Sequence, residues 1–414
     1  KTFLEGDGIK DVYFTFENGY ASWKKDANVE TFAKLAIEHA NKENPVIEAD
    51  YQQPAPTATG GQTTSTVTFD SLPLGYYLVD SSAGSLCGLD TTAKEVTIEE
   101  KNGVPSVDKK VSNTQNGTYG TSNNASIGDT VYFQTIITAQ PGAQNYVLHD
   151  KMTDGLTFNN KVEVKKGESP VATSYYTLKT SDFNDDCTFE IVFGQTFCDD
   201  LQKDEKITVT YSATLNESAV IAGEGNKNET WLKYGENNNL ETTHPITDTK
   251  TFEMHVFKFY IDKNDLTTEK GLADAKFTLS KNPNGTDPIK LINKGSNTYR
   301  VAKKDETNTI TEVITPDNGR FTIQGLGAGT YYLTEIQQPA GYNKLSGPVT
   351  VVIDENEKVR VGESEANPVK VENKSGTVLP STGGAGTTMI YLIGGALVLG
   401  SGVVLVTKRR VKNK

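Results

Sequence analysis

Cysteine is scarce in this chain, and its scarcity removes two classes of protein. Three cysteines in 414 residues are too few for a disulfide scaffold and make no metal-ligand pairs with neighbouring histidines. Cys187 and Cys198 either pair across a hairpin or stand as ordinary half-buried thiols. Histidine is also thin. His39, His149, His244 and His255 are scattered, fit no ligand spacing and lend little support to metal catalysis. No serine–histidine–aspartate set or carboxylate pair converges in the pattern, so an enzyme is not expected, and neither a metal nor a cofactor is implied. Positive charge is short as well: the formal net charge is −12. Outside the last seven residues no basic face is available for phosphates, which excludes nucleic acid as a partner.

What is present is period-two alternation in short runs broken by Gly, Asn, Asp and Pro, the pattern of β-strands. Thr66-Val67-Thr68-Phe69, the KITVTYSATL run from Lys206 to Leu215, and Val349 to Ile353 are predicted strands. One helix is expected, with Asn28 as its cap and Phe32, Leu35, Ala36 and Ala40 on one face. The chain is long enough for two to four domains. Composition shifts near Lys101–Pro105 and His244–Lys250 divide it into segments 1–104, 105–248 and 249–375, ahead of a terminal segment 376–414. The outer two modules share a phrase. TFDSLPLGYYLV at Thr68–Val79 and TIQGLGAGTYYL at Thr322–Leu333 each read as strand, glycine-containing turn and aromatic strand.

The terminal segment carries an uncharged apolar run from Met389 to Thr407, near the length of a membrane-crossing helix, followed by the basic KRRVKNK. Leu379-Pro380-Ser381-Thr382-Gly383 and a glycine-rich spacer precede it. This order resembles the LPxTG cell-wall sorting signal of Gram-positive surface proteins. The resemblance implies that a sortase cleaves after Thr382 and passes the protein to an amine, so the transmembrane helix is removed on sorting. Export demands a signal peptide and none is present, so the true N-terminus is expected to be missing.

Inside the modules, alternation places polar groups on apolar faces. Lys109 points the way Val107 and Val111 point, Asp150 shares the face of Tyr146 and Leu148, and Asn228 that of Leu232 and Tyr234. The third module repeats the set. Lys258 follows Met254 and Val256, Glu335 follows Tyr331 and Leu333, and Asn373 follows Val369 and Val371. A lysine on such a face is costly to bury unless neutralised or bonded.

The phrases PSVDKKV, VLHDKMTDGLTF and NETWLKY, with GLADAKFTL, YYLTEIQQPAGY and VKVENKSG, resemble the pilins of sortase-assembled Gram-positive pili, the third module being close to their collagen-adhesin B-type pattern. The resemblance is good from Lys101 to the C-terminus and loose before it. It implies a mainly β fold of tandem immunoglobulin-like β-sandwich domains, with an internal Lys–Asn isopeptide bond in the middle and third modules: Lys109 to Asn228 promoted by Asp150, and Lys258 to Asn373 promoted by Glu335. Lys110 and Asn226 are the nearest rivals in the middle module and Lys263 in the third. It also implies an acceptor lysine for the next subunit. That place reads Glu99-Glu100-Lys101-Asn102, keeping the family's Lys-Asn but not its preceding Tyr-Pro. Lys101 is therefore the candidate, with a solvated linker lysine as the alternative and Lys110 close enough to compete.

The implied function is a structural shaft subunit of a surface pilus. Its partners would be sortase, neighbouring pilin subunits and peptidoglycan. A wall-anchored adhesin or accessory pilin that binds a host or bacterial surface ligand is the alternative.

Overall fold

The run from Lys206 to Leu215 forms a strand in which every second side chain is buried, because a pleated backbone sends alternate residues to opposite faces. The computed structural model describes residues 3, 6, 8–17, 20–42, 47–53, 67–73, 76–81, 84–89, 104–140, 144–235, 238, 240–262 and 264–376. They divide into two compact units. One is drawn from Lys1–Asn123, Thr130–Ala219 and Glu224–Thr249, the other from Asn124–Asp129, Val220–Gly223 and Lys250–Lys414.

The first unit opens with a hairpin, Phe14–Glu17 against Tyr20–Trp23, and a helix, Val29–Lys42. Asn28 caps that helix through its Oδ1, which accepts from Thr31 N at 3.0 Å. The helix's apolar face brings Phe32 edge-on to Phe14 and Trp23, with ring centroids 5.0 and 5.1 Å apart, and Leu35 and Ala36 pack beside them. Residues 67–69, the described part of the strand expected at Thr66–Phe69, are not a strand. Val67 and Phe69 are exposed and no strand pairs with them among the described residues.

Residues 106–250 contribute two sheets. The five-stranded one runs Ser169–Pro170, Leu156–Lys166, Lys206–Leu215, Thr130–Thr138, Ser106–Ser112. The seven-stranded one runs Tyr176–Lys179, Phe189–Phe193, Val147–Met152, Asn226–Tyr234, Ile246–Lys250, Ser122–Asn124, with Leu240–Glu241 also paired to Asn226–Tyr234. Phe158 from the first and Phe189 from the second stack at 4.3 Å, which marks the interior of a β-sandwich. The strand bearing Asn228 does not end this set, since Ile246–Lys250 returns alongside it.

The second unit is likewise two six-stranded sheets. Its long strand Phe252–Asp262 pairs antiparallel with Arg320–Leu326 and Asp265–Gly271 and parallel with Val369–Glu372. The other sheet centres on Lys276–Ser280, Gly329–Gln337 and Val349–Ile353. The repeated phrase has a structural counterpart in each unit. The Tyr77 hydroxyl donates to Pro73 O, and the Tyr331 hydroxyl donates to Gly327 O at 2.7 Å, each reaching back four residues. Aligning the two phrases puts those tyrosines, and those carbonyls, at equivalent positions.

Candidate functional site

Lys109, Asp150 and Asn228 are all sealed from solvent. Lys109 comes from the Ser106–Ser112 strand of the five-stranded sheet, while Asp150 and Asn228 come from neighbouring strands of the seven-stranded sheet. Strand pleat sets this meeting: Val107, Lys109 and Val111 point inward together, as do Tyr146, Leu148 and Asp150. Lys109 Nζ donates to Asp150 Oδ2 at 2.6 Å.

The Tyr211 hydroxyl stands among all three groups. It takes a hydrogen bond from Lys109 Nζ, gives one to Asp150 Oδ2, and accepts from Asn228 Nδ2 at 3.3 Å. The Phe133 and Tyr211 rings flank the amine, 5.5 and 5.1 Å from their centroids. Removal from water dominates the electrostatics: burial lowers the Lys109 pKa and raises that of Asp150. Both shifts favour the neutral amine and the neutral acid. Asp150 Oδ1 and Asn228 Oδ1 are buried with no hydrogen-bond partner, and a proton carried by the acid toward the amide oxygen would satisfy both.

The second unit builds its cluster differently. Lys258 and Asn373 lie on one sheet, in the parallel pairing that sets Lys258 opposite Val371, and Glu335 reaches in from the other sheet. Lys258 Nζ donates to Asn373 Oδ1 and to Val371 O at 3.3 Å, and lies 3.5 Å from Glu335 Oε1. Asn373 Nδ2 donates to Glu335 Oε1 at 2.9 Å, while Glu335 Oε2 accepts from Leu345 N at 2.8 Å. All three residues are buried, and burial lowers the Lys258 pKa to about 8.

Of the rivals, Lys110 turns outward to Asp108 at 3.4 Å, and Asn226 is buried with its Nδ2 donating to Thr249 O at 3.0 Å. Lys263, Lys101, Leu379, Pro380, Ser381, Thr382, Gly383 and the Met389–Thr407 run lie outside the described residues. Among the described residues no helix is long and apolar enough to cross a membrane. Cys187 and Cys198 are separate free thiols. They do not face each other across a hairpin, because Cys198 lies in the helix Gln195–Asp199 and Cys187 precedes the strand Phe189–Phe193.

Reading the sequence missed two groups. Tyr211 was visible in KITVTYSATL as the hydroxyl on the apolar face of that strand. His149 was set aside on linear spacing, yet it meets Asp185, Cys187 and Glu190 in space.

Residues 127–238 match the family described as Gram-positive pilin backbone subunit 2, Cna-B-like domain. Residues 257–365 match the SpaA prealbumin-like fold domain, and residues 371–414 match the LPXTG cell wall anchor motif. The middle of the chain therefore matches a Gram-positive pilin backbone domain and its end a cell-wall anchor motif. Among curated proteins, the chain is 22% identical over 275 residues to the trypsin-resistant surface T6 protein of Streptococcus pyogenes serotype M6. That match covers 64% of this chain and 47% of the relative, so the chain spans about half the relative's length.

Similar solved structures include a 35 kDa C-terminal fragment of the major pilin GBS80 of Streptococcus agalactiae. It is 19% identical with a TM-score of 0.48, over 66% of this chain and 100% of that one. BcpA, the major pilin subunit of Bacillus cereus, is 17% identical with a TM-score of 0.47, over 73% and 78% of the two chains. The anchor match assigns the chain to the cell-wall surface.

Proposed function

We propose that this chain is a structural shaft subunit of a covalent pilus, polymerised and wall-anchored by sortase at Thr382 and hardened by one internal isopeptide bond in each of the segments 105–248 and 249–375. The observation that carries the reading is the burial, twice over, of a lysine, a carboxyl and an asparagine side chain in mutual reach. Such groups are expensive to leave unreacted in a core.

The chemistry follows, in the first unit, from the opposite pKa directions of Lys109 and Asp150. The neutral lysine Nζ attacks the asparagine Cγ, and the acid donates a hydrogen bond to Oδ1 as negative charge develops there. The acid then carries a proton from the lysine nitrogen to the departing Nδ2. A C–N bond forms, the Cγ–Nδ2 bond breaks, and one ammonia leaves. In the second unit Asn373 presents Nδ2 to Glu335; a half-turn of the nearly isosteric amide brings Oδ1 to the acid instead. Each domain reacts once, on itself.

Closing a loop of roughly 120 residues removes unfolded-state entropy worth ~5 kcal/mol by the relation used for disulfides. Lys101 is the proposed acceptor for the next subunit's Thr382. An immunoblot of wall extracts tests the assembly reading. A shaft subunit gives a high-mass ladder that Lys101→Ala abolishes while the wall-attached monomer remains. A single monomer band in the wild-type strain would contradict a shaft and favour an adhesin or accessory pilin. A ladder of normal length in Lys101→Ala would move the acceptor to another lysine.

A further inference from the structure

The face of the Val147–Met152 strand opposite Asp150 carries His149, and around it stand Asp185, Cys187 and Glu190. One ligand atom from each of the four lies within 4.8 Å of all the others. We propose that this cluster is a zinc(II) site, a metal staple on the outer side of the strand that presents Asp150 to the interior.

The geometry around one nitrogen carries the argument. His149 Nδ1 has Asp185 Oδ2 at 3.1 Å, Cys187 Sγ at 3.2 Å and Glu190 Oε1 at 3.5 Å. A neutral imidazole nitrogen can donate one hydrogen at most, so it serves only one of three converging groups. A cation between the four atoms would serve all of them. Zinc–ligand bonds of about 2.0–2.3 Å in a tetrahedron separate neighbouring ligand atoms by about 3.3–3.7 Å, close to the three distances from His149 Nδ1.

Donor type narrows the choice of metal. One imidazole and one thiolate beside two carboxylates suit a borderline-soft divalent ion, whereas calcium and magnesium take oxygen shells. The ring is held for the purpose. It stacks on Trp231 with centroids 5.1 Å apart and planes 11° apart, and His149 and Glu190 are buried. Register fixes the rest: Glu190 pairs with His149 across the sheet, and Asp185 and Cys187 lie in the connection that enters the same strand.

Two lysines compete for the carboxylates, Lys233 at 3.2 Å from Asp185 and Lys179 at 3.7 Å from Glu190. Both are partly exposed; Lys179 touches Glu190 through Oε2, not the Oε1 that faces His149, while Lys233 shares Asp185 Oδ2 with His149 and would yield it to the metal. Metal binding displaces one proton from the Cys187 thiol to solvent and leaves the imidazole neutral. This site is independent of the isopeptide reading, since none of its four ligands belongs to the interior cluster.

The test uses the full chain stripped with a chelator, then dialysed against zinc(II) and, separately, cobalt(II). One zinc per chain should be retained, and the cobalt form should show a thiolate-to-metal charge-transfer absorption. Cys187→Ser should abolish that absorption, and Cys187→Ser and His149→Gln should each weaken zinc binding at least tenfold. The internal ammonia loss should be unchanged in both. Wild-type protein that retains no zinc, or whose cobalt form lacks the thiolate absorption, would overturn the proposal even if the variants fail to fold. Equal zinc retention in wild type and Cys187→Ser would overturn it too.

Discussion

Lys109 Nζ and Asp150 Oδ2 lie 2.6 Å apart with neither side chain exposed to solvent. As an ion pair this arrangement would have to recover the desolvation of two charges, which a single contact in a core seldom does. As a neutral amine beside a neutral acid it is cheap to bury and set up for amide chemistry. The opposite pKa directions of the two residues favour the second description.

Tyr211 tests how that pair is positioned. Tyr211→Phe keeps the ring that packs against Phe133 at 5.4 Å and Phe189 at 5.0 Å, but deletes the hydroxyl shared by Lys109, Asp150 and Asn228. The bond in the first unit should still form, about tenfold more slowly, as expected for the loss of roughly 1.4 kcal/mol of hydrogen bonding. The fraction of unreacted chain, followed by mass after a pulse of synthesis, measures this. Unchanged kinetics would leave Tyr211 a packing residue only.

The depressed pKa of Lys258 gives a pH dependence with a definite sign. In Asn373→Ala no bond can form, so Lys258 stays an amine with a folded pKa near 8, below its unfolded value of 10.5. Between those values the unfolded chain binds more protons, so stability should rise with pH from about 8 upward, by on the order of 2 kcal/mol. Below pH 8 this contribution is lost. Wild-type protein, in which the proposed bond makes Lys258 an amide, should lack the slope. Denaturant midpoints of the two proteins across pH 7–10 read the difference directly, and parallel curves would argue that Lys258 is unreacted in both.

Pulling on the chain ends separates covalent from non-covalent strength. With Lys109 joined to Asn228, only the part of the first sandwich beyond Asn228, including Ile246–Lys250, should extend. Asn228→Ala should release roughly 120 more residues, on the order of 400 Å at about 3.5 Å each. Force spectroscopy that finds the same extension in both would mean that the loop was never closed.

Alternation made the inward lysines legible, because one strand's pleat fixes which residues share a face. The same signal misread residues 67–69 of the expected strand, since periodicity cannot say whether a partner strand exists. Nor does alternation reveal that Ile246–Lys250 returns to pair with the Asn228 strand. Tyr211 was legible in principle, as a hydroxyl among inward apolar residues. His149 beside Asp185, Cys187 and Glu190 was not, because strand pairing brings it to a trio that lies far from it in sequence.

The most direct test of the central claim is the intact mass of the denatured chain. The account predicts a mass two ammonias below that of the sequence, with one ammonia restored in Asp150→Ala, one in Glu335→Ala and both in the double variant. Each acid-deficient variant should also melt at lower temperature, having lost the ~5 kcal/mol contribution of its closed loop. A wild-type mass equal to that of the unmodified sequence would contradict the claim outright, and loss of two ammonias persisting in the double variant would show that Asp150 and Glu335 are not the promoting acids.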